Sequence, residues 1–319
     1  MKFGLVIPTN RPESLLSFYE KWLAVGLPWD EVHIVFDGKN PGFDFPKTII
    51  HDWTTIEETL GKDNWIISRK DGGIRSFGIL QAYRSGCDVI HLLDDDCYPD
   101  GDILLHKRIL TEGISRWVSP APGIHLRGMP YKNLGQVTPV INLGLWSGVP
   151  DVDAVHQLIL GEESIPHSGD TRLVPRGQYI PISGMNLAFR REAAVLLYQP
   201  VMGLNQPYRR FDDIWGGIVA KRLCDELGWS VGYGPPYIHH IRASNAFTNL
   251  VKEAPGIGAN EHFWEAVQNF SLTARTAVSL VQEIGHCISH TKCPPSIDVD
   301  YWSRLGRAYS IWGGLFDEA

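Results

Sequence analysis

Apolar runs alternate with amphipathic stretches along the first hundred residues. "FGLVIP" (3–8), "EVHIVFDG" (31–38), "NWIIS" (64–68) and "DVIHLL" (88–93) read as strands, being short, rich in β-branched and aromatic residues and bounded by polar or glycine positions. "PESLLSFYEKWLAVG" (12–26) places its apolar residues at helical spacing, opened by Pro12 and stopped by Gly26, and "IRSFGILQAYRSG" (74–86) is a second helix of this kind. Strands separated by helices predict a mostly parallel sheet with helices packed on it. Such sheets bind ligands outside the carboxyl ends of their strands. That rule gathers Pro8 to Arg11, Asp37 with Gly38, Arg69 to Gly73, and Asp94 to Asp96 on one edge.

Further on, "SGMNLAFRRE" (183–192) reads as a strand entering a helix, and "YIHHIRASN" (237–245) begins as a short strand. A helix is expected from about Ile214 to Leu227, with Asp212 or Asp213 as its N-cap and Gly228 as its stop. From residue 262 the character changes. "HFWEAVQNFSLTARTAVSLVQEIG" and "VDYWSRLGRAYSIWGGLF" are amphipathic helices, rich in Trp and Tyr, that should pack on the sheet domain or join subunits of a homo-oligomer. The expected division is therefore residues 1–261 as the catalytic domain and 262–319 as a helical extension.

The 319 residues, 44% hydrophobic and 20% charged, suffice for a full core. A net charge of −7 excludes a broad nucleic-acid surface. No run approaches the roughly 18–20 apolar residues of a membrane span, and "MKFGLVIPTN" enters a strand without a signal pattern, which makes the cytoplasm the expected location. Five scattered cysteines suit free thiols.

"HLLDDDCY" (91–98) concentrates three carboxylates directly after a buried strand. Like charges repel, so the triplet either lies in open water or faces a cation. Its position, with Arg and Lys at neighbouring strand ends, favours Mn²⁺ or Mg²⁺ carrying a diphosphate, since such ions take oxygen ligands and often only one or two carboxylates. On an extended segment Asp94 and Asp96 share a face and Asp95 points the other way.

Seven stretches, "SRKDGGIRSFG" with "HLLDDDC", then "HLRGMPY", "GLWSGVPDVDA", "SGMNLAFRRE", "FDDIWGG" and "YIHHIRASNAFTNL", resemble in order the motifs of the reversibly glycosylated polypeptide family, whose plant members are UDP-arabinopyranose mutases. The resemblance spans roughly residues 1 to 265. It implies a GT-A-like nucleotide-diphosphosugar fold, a metal held at an aspartate motif, a UDP-sugar substrate and self-glycosylation at an arginine, here Arg127. The family's second arginine, seven residues on, is replaced by Leu134.

Within that frame Asp94, Asp96 and His240 are the expected metal ligands, His240 being chosen over His239 by the motif match. Asp95 is expected to reach the ribose or to support its neighbours. Arg75, at a helix start, and Lys70 are placed to meet the diphosphate or uridine. Asp37, Thr9, Arg11 and Pro8 complete a nucleoside pocket. Gly184 would permit close approach of ligand and Asn186 would bond sugar hydroxyls. Trp215 would offer an apolar face to the sugar, and Arg242 a bidentate phosphate contact. Of Asp212 and Asp213, one caps the helix and the other works on a sugar hydroxyl. Arg127 is either the glycosyl acceptor or a charge clamp, because a guanidinium stays protonated and is a poor nucleophile. A nucleotide-sugar mutase is the first reading. A glycosyltransferase with a separate acceptor and a non-catalytic UDP-sugar-binding subunit are the alternatives.

Overall fold

Four parallel strands built from the first hundred residues form one side of the sheet: β1 (Phe3–Thr9), β2 (Glu31–Phe36), β3 (Thr48–His51) and β4 (Val89–Leu93), in spatial order β3-β2-β1-β4. They belong to a computed structural model that describes residues 1–119, 124–161, 169–241 and 244–317, so Arg242 lies outside the described residues. The strands are linked by α1 (Pro12–Ala24), α2 (Trp53–Leu60) and α3 (Arg75–Arg84). Pro12 starts α1, whose Leu15, Phe18, Tyr19 and Trp22 are buried, and a capping box between Asp52 and Thr55 starts α2. The expected strand at "NWIIS" is instead part of a 3₁₀ segment, Gly61–Ile66. Its polar groups close locally, with Ile67 N donating to Asn64 O, and Tyr198 Oη takes Ile66 O at 2.6 Å, so the apolar run buries itself without a sheet partner.

After β4 the chain turns through Asp94–Asp96, returns as β5 (Cys97–Pro99), and continues into α4 (Leu105–Glu112). A small two-stranded sheet, β6 (Ile114–Ser115) with β7 (Gln136–Val137), carries the loop that holds Arg127. Then follow β8 (Ile141–Gly148), α5 (Ala154–Leu160), β9 (Arg172–Leu173), β10 (Asn186–Arg190), α6 (Asp212–Leu227) and β11 (Val231–His240). A 3₁₀ turn, Arg191–Leu196, stands where "SGMNLAFRRE" was expected to enter a helix. β10 runs antiparallel between β4 and β8, and β11 lies parallel to β8. Among the described residues six strands of the main sheet run one way, and β5, β9 and β10 the other. This is a mostly parallel α/β sheet flanked by helices, with two registers that decide the site: Asn186 opposite Leu93, and His240 opposite both Gly148 and Cys97.

The remaining helices are α7 (Ala246–Asn269), α8 (Ala277–His290) and α9 (Val299–Gly313). Residue 262 falls inside α7, so the expected boundary cuts a continuous helix. Trp215 of α6 stacks on Phe263 of α7 with ring centroids 4.1 Å apart, and Trp312 Nε1 donates to Val195 O at 2.8 Å. The C-terminal helices thus share one apolar core with the sheet. No helix among the described residues is long and apolar enough to cross a membrane, and all five cysteines are free.

Candidate active site

The aspartate turn sits at the carboxyl end of β4, and each of its three side chains is held differently. Asp95 is 2% exposed; it accepts from Thr9 Oγ1 at 2.6 Å and is paired with the Arg11 guanidinium. Burial pushes its carboxyl up to about 6 against the pull of Arg11. Arg11 also reaches Asp96 at 3.3 Å, and these two carboxylates outweigh desolvation to hold the guanidinium above its ordinary range. Asp96 is raised by burial and then by Asp94, with His240 and Arg11 opposing. Asp94, a third exposed, accepts from Arg75 Nη2 at 2.6 Å.

Arg75 enters from the first turn of α3 and is itself buried. Desolvation pulls its pKa down, yet Asp94, Asp213 and Asp212 together hold it raised. Gly184 makes room for it: a Cβ there would lie 2.6 Å from Arg75 Cζ and on top of Nη1. The close approach expected at Gly184 is therefore made by arginine. The Gly184 N–H donates to Asp213 Oδ2 at 3.0 Å, while Asp213 Oδ1 accepts from Ile214 N at 2.9 Å. Neither aspartate of the pair caps α6. The capping position is Phe211, with no side-chain bond, and Asp212 and Asp213 occupy the first turn, where carboxylates favour the helix dipole. Asp212 is buried and hydrogen-bonded to Asp71. Burial first, then Asp71 and Asp213, push its carboxyl well above the usual range.

His240, the last residue of β11, has its Nδ1 on Val149 O at 2.8 Å, which leaves Nε2 turned to Asp96 Oδ1 at 4.0 Å. A backbone carbonyl on one ring nitrogen fixes the other as a lone-pair donor, the arrangement metal-bound histidines use. Asp94 is turned towards Arg75. Asp94, Asp96 and His240 do not offer three atoms mutually within 4.8 Å; the set with that property among the described residues lies elsewhere in the fold. The donors facing each other are thus Asp96 and His240, with Asp94 at the rim. Asp151 is a functional candidate that motif reading passed over, although "GVPDVDA" contains it. Burial raises its carboxyl to about 6, opposed by His240 and increased by Asp213 and Asp94, so it feels the charge of the same cluster. Its signal was positional: it follows the carboxyl end of β8, next to that of β11. Asp94, Asp95, Asp96, Asp151 and Asp213 lie around Arg11 and Arg75, with Arg210, itself paired to Glu253, acting on Asp151 and Asp213; among the described residues the carboxylates outnumber the guanidiniums, a balance that suits a divalent cation.

The family profile described as "Reversibly glycosylated polypeptide" matches residues 121–312. The chain is 34% identical over 358 residues to the Pisum sativum protein named "Probable UDP-arabinopyranose mutase 1", covering 99% of this chain and 91% of that one. It is 32% identical over 346 residues to "UDP-arabinopyranose mutase 1" of Arabidopsis thaliana, covering 99% and 92%. The chain belongs to the reversibly glycosylated polypeptide family. The family match runs through α7 and α8 and into α9 as far as Trp312, beyond the stretch that the motifs covered. Among solved structures, glucosyl-3-phosphoglycerate synthase from Mycobacterium tuberculosis, in complex with Mn²⁺, UDP-glucose and phosphoglyceric acid, overlaps with a TM-score of 0.42 at 12% identity, over 88% of this chain and 79% of that one.

Two expected ligand contacts of this family member are committed elsewhere. Asn186 is wholly buried: its Oδ1 accepts from His91 Nε2 at 3.1 Å and His106 Nε2 at 2.9 Å, and its Nδ2 donates to Leu145 O and Pro236 O. All its bonding capacity is spent inside the sheet, so it is corrected from a sugar contact to a core bracket. Trp215 is also fully buried, its ring on Phe263 and its Nε1 on Asn260 Oδ1, and offers no face to a sugar. Asp37 accepts from Trp53 Nε1 and Asp71 N at 3.0 Å each, and Lys70 Nζ donates to Asp37 O at 3.1 Å. These bonds tie the β2 end to the "KDGG" turn, with the Lys70 side chain exposed beside it. Thr9 is buried and works through Asp95, while Pro8, beside it, is half-buried. Arg127 is exposed on the β6–β7 loop, and among the described residues nothing bonds it to the aspartates.

Proposed function

We propose that the protein is a metal-dependent UDP-sugar mutase that interconverts the pyranose and furanose forms of the sugar, with UDP-arabinopyranose as substrate. The observation that carries the reading is the carboxylate, arginine and histidine cluster at the strand ends, Asp96 facing His240 across 4.0 Å, in a chain 32–34% identical to proteins named UDP-arabinopyranose mutase over 98–99% of its length. Asp96 and His240, with Asp94 beside them, would hold Mn²⁺ or Mg²⁺. Such an ion supplies Lewis-acid neutralisation of the diphosphate, worth several kcal/mol. Arg11 and Arg75 add fixed positive charge at the same edge and need no reorganisation when the diphosphate departs.

In the net reaction the bond from C1 to UDP breaks, and C1 exchanges its ring oxygen for a neighbouring hydroxyl oxygen. One proton passes from that hydroxyl to the released ring oxygen, and UDP rejoins C1. Asp213, oriented by the Gly184 and Ile214 amides, is the carboxylate assigned to hold that proton. Asp212, locked to Asp71, orients the helix start. Arg127 is assigned the charge clamp in preference to the glycosyl acceptor, since a guanidinium is a poor nucleophile and a good partner for phosphate.

The test is incubation of purified protein with UDP-arabinopyranose, UDP-galactopyranose and UDP-glucose, with Mn²⁺ and after chelation, followed by separation of the nucleotide sugars. The expected result is a furanose product from UDP-arabinopyranose that disappears on chelation. Release of UDP with sugar appearing on an added acceptor, and no furanose, would replace the mutase by a transferase.

A further inference from the structure

At the opposite end of the sheet, the amino ends of β1, β2 and β4, a second polar cluster is built into the fold. Glu31 and His33 lie two residues apart on one face of β2, and Cys87 reaches them from the turn before β4. Among the described residues these are the set of three His, Cys, Asp or Glu donors whose ligand atoms all lie within 4.8 Å of one another. His33 Nε2 is 2.9 Å and Cys87 Sγ 3.0 Å from Glu31 Oε1. Ser85 Oγ closes the figure at 3.5 Å from His33 Nε2 and 3.6 Å from Cys87 Sγ, and hydrogen-bonds Glu31 Oε1.

Those separations are close to the edges of a coordination tetrahedron. With zinc-to-ligand lengths of about 2.0–2.3 Å, neighbouring ligand atoms sit about 3.3–3.8 Å apart. The Ser85 edges to His33 and Cys87 already have that length, the Glu31 edges to His33 and Cys87 fall short by a few tenths of an ångström, and the Glu31–Ser85 edge, now a hydrogen bond, has to open before Ser85 or a water can take the fourth vertex. The surroundings are those of a built site. His33 and Cys87 are fully or almost fully buried. His33 Nδ1 is 3.0 Å from His51 Nε2, a partner that can fix the ring once Nε2 is engaged. Gly4 gives the thiol its space, since a Cβ there would fall on Cys87 Sγ. Lys2 Nζ sits on the other carboxylate oxygen, Glu31 Oε2, at 2.6 Å, so Oε1 is the atom left for an ion.

We propose that Glu31 Oε1, His33 Nε2 and Cys87 Sγ bind a divalent ion of borderline softness, of the zinc class, with Ser85 Oγ or a water at the fourth vertex. The mixed oxygen, nitrogen and sulfur set selects such an ion over Mg²⁺ or Mn²⁺, which prefer all-oxygen shells. Binding releases one proton, from the Cys87 thiol, and leaves the His33 ring proton on Nδ1, donated to His51. The strand between this cluster and the carboxyl edge, six residues long, separates the two sites by about 16 Å. The ion therefore has a structural role, pinning β2 to the turn that launches β4 and its aspartates.

The probe is Co²⁺, titrated into metal-free protein in place of Zn²⁺ and followed by absorption, with Zn²⁺ then added in competition. The expected result is about one equivalent bound with a thiolate-to-cobalt charge-transfer band, abolished by Zn²⁺ and by Cys87→Ser, retained in Asp96→Asn, and weakened more than about tenfold in His33→Gln. Lys2→Gln, a half-exposed change that removes a competing cation, should tighten binding. Absence of the band in folded wild-type protein under excess Co²⁺, or its survival in Cys87→Ser, overturns the proposal. The wild-type titration decides this even if a buried variant fails to fold, and none of these readouts depends on activity.

Discussion

Replacing Asn186 by alanine separates the two roles an asparagine at this position could have. Trp29 Nε1 donates to His91 Nδ1 at 3.1 Å and Asn142 Nδ2 to His106 Nδ1 at 2.9 Å, so both imidazoles are neutral and both turn an Nε2–H to Asn186 Oδ1. Alanine leaves these two donors and the carbonyls of Leu145 and Pro236 without their partner. At about 1–3 kcal/mol per stranded buried group, reduced because water can enter the space, the cost is about 3–6 kcal/mol, a large share of a typical domain's stability. Urea unfolding followed by tryptophan fluorescence measures it, alongside KM for the nucleotide sugar on the folded fraction. The pH profile supplies a second arm. Burial lowers His106 to about 4, and His91 well below its usual 6.5. The unfolded chain then takes up protons that the native one refuses. Stability is full above about pH 6.5 and falls as pH drops towards 4, by up to about 1.4 kcal/mol per pH unit for each such histidine. Water admitted by the substitution should flatten that slope, while His33 and His51, also lowered by burial, continue to contribute. An Asn186→Ala protein with an unchanged urea midpoint and a raised KM would refute the bracket and return this residue to the sugar.

Asp96→Asn should cost roughly 10²–10³-fold in turnover and abolish the response to Mn²⁺ with little change in melting temperature, because the turn carries no core packing; normal Mn²⁺ dependence would remove Asp96 from the metal. Gly184→Ala should push Arg75 off Asp94, lowering activity more than tenfold and stability by about 1–3 kcal/mol, and a variant with wild-type turnover would show that Arg75 can move freely. Trp215→Ala should lose about 3–5 kcal/mol in chemical denaturation with KM unaltered in the folded fraction, and a selective rise in KM would contradict its placement in the core. Arg127→Lys should keep a measurable fraction of turnover as a charge clamp; a sugar label on Arg127 that chases into product at the rate of turnover would instead make it the acceptor.

The elements that could be read from the chain are those in which local pattern and tertiary demand agree. β1, β2, β4, α1 and α3 lie where alternating apolar runs and helix signals put them; the rule that ligands gather at carboxyl ends singled out the aspartate turn, and the family motif added His240, which the structure sets 4.0 Å from Asp96. "NWIIS" went the other way because a run of that length fits a strand or a tight helical turn equally well, and its partners, the Tyr198 hydroxyl on Ile66 O and the Met202 backbone on Ser68, lie more than a hundred residues distant. Asn186 and Trp215 were read as ligand contacts because a polar or aromatic side chain in a motif carries no mark of the direction it faces. The histidines that consume Asn186 come from β4 and α4, and the ring that covers Trp215 comes from α7. Asp151 was hidden for the complementary reason: its importance depends on β8 lying parallel to β11, a pairing across some ninety residues that no local spacing encodes.

The stacking of Trp215 on Phe263 and the anchoring of Trp312 on Val195 also bear on how the protein is made. A ribosome delivers β1 to β4 and their aspartates early, but the helix that begins at Asp212 cannot bury its tryptophan until α7 has left the exit tunnel. The turn before it waits for α9. Synthesis therefore passes through a long interval in which the nucleotide half of the sheet can assemble while a wide aromatic surface stays uncovered. During that interval the nascent chain is a natural client for chaperones. Premature termination within α9 should yield an aggregating product with all of its aspartates in place.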